Sequence, residues 1–237
     1  LDVELFPGNL HQMNWALATQ PDRDTALAQA QQTLTAPWEA EAARIDLMQR
    51  SQEIDIFTGD PDWDAAFAFA QKTAFGLFFP ASQSLPQPSF VTNRLPEQGY
   101  SARSDGSSAV YAWNGQAASD SLYLAGYLLP GAAELARGLL MNYLSVQQEN
   151  GEIDSQPGLG GQRSRQLAQP LLATLAWRIE QCRSDPGWLA EVYPRLARFV
   201  QSWLASTHDR DQDGLPEWNH PMQTGYEANP LFDTWDA

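Results

Sequence analysis

From Asp24 to Ser206 the apolar residues recur at intervals of three and four, the period of helices that bury one face. Trp63, Ala66, Phe67, Ala70, Ala74, Leu77 and Phe78 mark one such helix, and Leu135, Leu139, Leu140, Tyr143 and Leu144 mark another that stops at Asn150-Gly151. Leu171, Leu175, Ala176 and Ile179 mark a third. Ser184-Asp185-Pro186 then opens a helix with a cap and an N1 proline in place. The face of that helix carries Leu189, Val192, Leu196, Phe199, Val200 and Trp203, and Pro194 is expected to perturb its first turns. Nearer the start, Asp24 is placed to cap a helix through Leu34, and Pro37 to begin one running to about Ser51. Strand-like patches are confined to Phe90-Val91-Thr92 and Val110 to Trp113. Six or seven amphipathic helices with almost no sheet predict an all-α fold. The stretches 80–118, 148–166 and 207–237 are too long for plain bundle connections, and such loops usually carry function.

Composition narrows what those loops can do. The chain has 237 residues, 43% hydrophobic and 11% aromatic, enough for a packed core. Its 29 Asp and Glu against 14 Lys and Arg leave a net charge of −15. That charge repels phosphate backbones, so no nucleic-acid partner is expected. The apolar run from Leu122 to Pro130 falls far short of the ~20 residues a membrane helix needs, so no membrane partner is expected either. The one cysteine, Cys182, excludes an internal disulfide framework and a cysteine zinc site. The three histidines, His11, His208 and His220, are too few for a multi-histidine metal centre. There is no Gly-x-Ser-x-Gly elbow and no phosphate-binding Gly-x-x-x-x-Gly-Lys, and Leu159-Gly160-Gly161-Gln162-Arg163 follows no strand. The sequence leaves the cellular compartment open.

Three polar groupings carry chemistry. Asp209, Asp211 and Asp213 alternate before Gly214, which sets three carboxylates around one point, as in the first half of a calcium loop. Glu217 at position nine offers a further ligand, whereas position twelve is His220 instead of the bidentate glutamate of an EF-hand. Structural Ca²⁺ is therefore the one cofactor expected, and no organic cofactor is. Tryptophans form the second grouping. Trp63, Trp177, Trp188 and Trp203 fall in or at the ends of helices, where packing accounts for most of them. Trp113, Trp218 and Trp235 fall in loops beside amides and carboxylates, the pairing of flat apolar faces and hydrogen-bonding forks that sugars require. The third is Glu227, in a polar loop with Trp218 nearby in sequence. An aromatic neighbour and partial burial would raise its pKa toward that of a general acid.

The ordered motifs Trp113-Asn114-Gly115-Gln116, Asn142-Tyr143-Leu144, Glu149-Asn150-Gly151-Glu152-Ile153, Gln169-Pro170-Leu171-Leu172 and Asp213-Gly214-Leu215-Pro216-Glu217-Trp218 resemble those of the toroidal six-hairpin glycosidases. The nearest resemblance is to glycoside hydrolase family 63, with the trehalases more distant, and it covers about residues 50 to 237. It implies an (α/α)6 toroid of helical hairpins with an active-site funnel, and inverting hydrolysis of an α-glucoside-like carbohydrate substrate. Thr224-Gly225-Tyr226-Glu227 occupies the place of the family's Ser-Gly-x-Asp, which makes Glu227 the matched general acid. Glu stands there for Asp, Gln223 for a preceding Glu, and Asn114 for the usual Asp. Trp113, Asn114, Gln116, Asp120, Arg163, Gln169, Trp218 and Tyr226 are the substrate contacts expected. The family's general base lies later in its toroid. The resemblance therefore implies about half a toroid here, incomplete alone, with the rest from the same longer chain or a partner chain. Residues 1–20 read as a linker or the tail of an upstream domain, and 21–237 as the N-terminal part of the catalytic domain. The contrasting expectations are a non-catalytic carbohydrate-binding module and a calcium-stabilised interaction domain.

Overall fold

The computed structural model describes residues 8, 14–18, 22–50, 52–91, 115–219 and 221–224, without the side chains of 44, 48–50, 221 and 222. The chain divides into two compact units, Leu1–Arg50 and Ser51–Ala237. The first unit contains α1 (Arg23–Leu34) and α2 (Trp38–Arg50). Helix α1 is capped by Asp22, not Asp24: its carboxylate accepts from the Thr25 N–H at 2.8 Å and the Thr25 hydroxyl at 2.6 Å. Asp24 falls inside the first turn, where its charge meets the positive end of the helix dipole. No residue of α1 is buried.

The second unit contains α3 (Pro61–Gly76), α4 (Ala118–Leu128), α5 (Ala133–Ser145), α6 (Leu172–Cys182), α7 (Pro186–Ser202) and a 3-10 turn, Pro221–Thr224. Each helix packs on the next, across long loops as well as short ones: α3 on α4, α4 on α5 and α6, α5 on α6, α6 on α7. The result is a succession of helical hairpins, all-α as the periodicity predicts. Among the described residues the only sheet-like pairings are two isolated bridges, Phe79 with Ser89 and Asp154 with Leu167. Phe90 and Val91 form no strand, and Thr92 and 110–113 lie outside the described residues. No described helix is long and apolar enough to cross a membrane.

Helix α4 escapes the sequence reading because it has no start signal of its own. Its cap position is Ala117, with no side-chain bond. Gln169 supplies the missing acceptor, its amide oxygen taking the Ser119 N–H at 3.2 Å. Helix α7 behaves differently, since Asp185 caps it by accepting from the Trp188 N–H. It then runs unbroken through Pro194, an exposed position, while the stripe Val192, Leu196 and Phe199 anchors both halves in the core.

The main core joins Leu122, Leu140, Tyr143, Leu144, Leu175, Ile179, Phe199 and Trp203 from α4 to α7, and a second cluster joins α3 to α4 and α5 through Ala74, Leu124, Leu128 and Leu139. A buried polar network runs through α5. The Gln116 amide donates to Leu139 O and accepts from Ser89 and Asn142, while the Tyr143 hydroxyl donates to Gln116 O at 2.6 Å. Burial pushes the Tyr143 hydroxyl far above its ordinary pKa, so it stays a donor at every working pH. Trp203 is buried, but Trp63 and Trp177 are 71% and 62% exposed, so packing does not account for those two.

Candidate functional site

The 146–171 loop between α5 and α6 is shaped by one carboxylate. Asp154 is buried, and its Oδ1 accepts from the Gln156 N–H, the Ser164 N–H and the Ser164 hydroxyl at 2.9–3.0 Å. Its Oδ2 accepts from the Arg165 N–H at 2.8 Å. Four donors on one side chain fold residues 154–165 back on themselves and hold Arg165 at a φ of +58°. Two glycines let the backbone fit. Gly151 turns with a φ of +93°, and a Cβ there would meet Arg198 O at 2.6 Å. A Cβ on Gly115 would lie 2.2 Å from Gln156 O, so the end of the Trp113–Gln116 motif packs directly against this loop.

The folded loop walls an open pocket of about 530 Å³. Gln148, Glu152, Arg163, Arg165 and Gln166 line it, over an apolar floor that includes Ile153 and Leu167. Amides, guanidinium groups and a carboxylate around a small apolar patch can hold a polyhydroxylated ligand.

The acidic loop follows α7. Asp209, Asp211 and Asp213 each offer a carboxylate oxygen within 4.8 Å of the others. The turn is set locally: Asp211 accepts from the Asp213 N–H, Asp213 from the Leu215 N–H, and Asp209 Oδ2 from the Gly214 N–H. Asp209 is only 7% exposed, and its Oδ1 is buried without a hydrogen-bond partner. A buried, unpartnered carboxylate oxygen is costly unless a cation or other donor meets it. Glu217 is placed differently. It accepts from Arg210 Nε at 2.6 Å, a contact that holds its carboxyl below the usual range, and it stands outside the three-carboxylate group.

The structure distributes the other expected site residues. Arg163 lines the pocket. Gln116 and Gln169 are buried and occupied with the α5 network and the α4 cap. Asp120 sits in the first turn of α4, and Trp218 is half exposed on the segment after the acidic loop. Trp113, Asn114, Tyr226 and Glu227 lie outside the described residues. Reading motifs one at a time passed over Glu152, Arg165 and His208. The signal available for the first was its place inside Glu149–Ile153, among polar neighbours.

An all-α succession of helical hairpins with a polar pocket on a long inter-helix loop is the arrangement expected of part of an (α/α)6 toroid. The family model of the mannosylglycerate hydrolase MGH1-like glycoside hydrolase domain matches residues 108–237, over half the chain. The chain belongs to that family, a six-hairpin glycosidase family related to glycoside hydrolase family 63. No curated protein and no solved structure matches it.

Proposed function

We propose that this domain takes part in inverting hydrolysis of an α-glucoside-like substrate, with Glu227 as general acid. The observation that carries the reading is the family match over 108–237, which spans both the pocket and the segment around Glu227. Glu227 would give its proton to the glycosidic oxygen as that bond breaks. A second carboxylate, assigned to none of the described residues, would take a proton from water as it attacks the anomeric carbon from the opposite face. Glutamate in place of aspartate sets the acid one methylene further out, which calls for a substrate seated correspondingly deeper or shallower. The family takes its name from mannosylglycerate hydrolysis, so glycosides of hydroxy acids belong among the candidates. Arg163 and Arg165 on the pocket wall suit a carboxylate on the aglycone.

The test is turnover of p-nitrophenyl α-D-glucopyranoside, trehalose and mannosylglycerate by the intact protein, with the first-formed anomer followed by NMR. Glu227→Gln is expected to cut kcat by at least about a hundredfold, the scale of lost general-acid catalysis, with binding retained. Unchanged turnover in that variant would remove the acid assignment. Retention of anomeric configuration would remove the inverting mechanism.

The acidic loop is proposed as a structural calcium site held by Asp209, Asp211 and Asp213. The unpartnered Asp209 oxygen and the all-oxygen donor set fit a hard cation. Bound there, calcium would neutralise three mutually repelling carboxylates and fix the segment leading to the 3-10 turn.

A further inference from the structure

His208 serves neither the proposed acid nor the proposed metal site, yet its surroundings are closely specified. It is 9% exposed, with its ring tilted 44° against buried Trp203 at a centroid distance of 5.7 Å. Asn219 Nδ2 donates to Thr207 O at 3.3 Å and lies 3.0 Å from His208 Nδ1. An amide nitrogen has only hydrogens to offer, so Nδ1 must accept and the neutral ring carries its proton on Nε2. That Nε2 faces Glu152, 3.6 Å from Oε1, which is ion-pair range and longer than a hydrogen bond. Glu152 belongs to the pocket wall, so His208 reaches from the segment after α7 to a carboxylate of the pocket on the α5–α6 loop.

The two acidic side chains lining the pocket have different work. Asp154 has both oxygens engaged by its own loop. Among the described residues Glu152 has His208 Nε2 as the one basic nitrogen within 4 Å of its carboxylate, and its side chain is 28% exposed. It therefore keeps lone pairs for a ligand. An ionised carboxylate only accepts hydrogen bonds, so its natural partners in a sugar are hydroxyl groups, and adjacent hydroxyls can engage both oxygens. A glutamate on a flexible stem discriminates among hydroxyl arrangements only when something fixes it. The buried His208 ring, with Nε2 3.6 Å from Oε1, restricts where that carboxylate can swing and leaves its other oxygen open to the pocket.

We propose that Glu152 is a hydroxyl-binding contact of this pocket and that His208 is its positioning residue, an inference that rests on the carbohydrate reading. Methyl α-D-glucopyranoside and methyl α-D-mannopyranoside are titrated into the 237-residue chain by saturation-transfer NMR. Glu152→Gln should weaken binding about tenfold, the scale of one hydrogen bond to a charged group. His208→Ala should weaken it about fivefold, and His208→Gln, which restores an N–H toward Glu152, should return to within about threefold of the native chain. Nitrogen-15 spectra should show His208 protonated on Nε2 when neutral. Native-level binding by Glu152→Gln overturns the proposal and leaves the carbohydrate reading standing. Equal loss in His208→Ala and His208→Gln, or a proton on Nδ1, overturns the positioning role. If the native chain binds neither sugar, both the proposal and the carbohydrate reading fall.

Discussion

Single side chains decide how the loops of this protein hold their shape. Asp154 organises one loop by meeting four donors, whereas Asp209 leaves a buried oxygen unmet. The difference follows from what surrounds each. Asp154 sits inside a reversal that turns its own N–H groups inward, while Asp209 shares a short turn with two more carboxylates and few donors. The proposed calcium site yields a prediction at this scale. Saturating CaCl₂ should raise the melting temperature by about 5 °C or more, as expected for a ligand at roughly a hundred times its dissociation constant. Asp209→Asn should abolish the rise, and Glu217→Gln, which alters a side chain bonded to Arg210 and outside the three-carboxylate group, should keep it. A melting temperature indifferent to calcium would remove the site.

At the scale of helices, what matters is where each end finds partners for its free N–H groups. Helix α7 carries its own cap, and Asp185 also receives Arg137 Nη1 at 3.1 Å, tying α5 to the start of α7. Arg137 stacks over Trp188 at 4.8 Å, which completes the joint. The Trp188 N–H first, and Arg137 after it, hold the Asp185 carboxyl below its ordinary value. A lowered folded pKa gives stability that is complete above the unfolded value of about 3.9 and is lost as pH falls from there through the folded value. Asp185→Asn should therefore flatten part of the acid limb of the unfolding curve and change little near neutrality beyond a constant offset. Urea melts between pH 2.5 and 7 check this, and an unchanged acid limb would show that the cap's charge contributes nothing. Helix α4 is the contrasting case. Its N-terminus takes an acceptor from Gln169 of another loop, so its start is specified by the packing of α4 against α6 and not by its own cap.

For the second unit as a whole, stability rests on the continuous core from α4 to α7. Phe199 is fully buried at the centre of α7's apolar stripe. Phe199→Ala should cost about 3–5 kcal/mol, a large share of a typical domain's total of roughly 5–15 kcal/mol. Denaturant melts should show a lower midpoint with an unchanged slope. A loss below about 1 kcal/mol would mean the site collapses around the cavity or that α7 is held mainly from elsewhere. The same core fixes the spatial relation between the α5–α6 loop and the segment after α7. Trp203 reaches Ala168 O through its ring N–H, and Arg195 donates to Leu144 O. The first ties the end of α7 to the α5–α6 loop and the second ties α7 to α5, so segments distant in sequence are held where Glu152 and His208 approach.

Periodicity and local chemistry were enough to determine α3, α5, α6 and α7, and the Ser184-Asp185-Pro186 start of the last. Apolar spacing and caps act over one or two turns and are complete within the sequence that carries them. The acidic triad was legible for the same reason, since three carboxylates alternating before a glycine need only a local turn to converge. The sequence also carried the family resemblance that the match over 108–237 supports. Gln116 and Gln169 show where local reading stops: both look like polar loop residues ready for a ligand, and both are turned inward to satisfy backbone or amide groups of other elements. Helix α4, the burial of Asp209 and the approach of His208 to Glu152 were decided by the tertiary structure alone. Each depends on which donor or acceptor a distant segment presents. A buried polar group must take the partner that packing leaves beside it, and nothing in its own stretch of chain specifies what that partner will be.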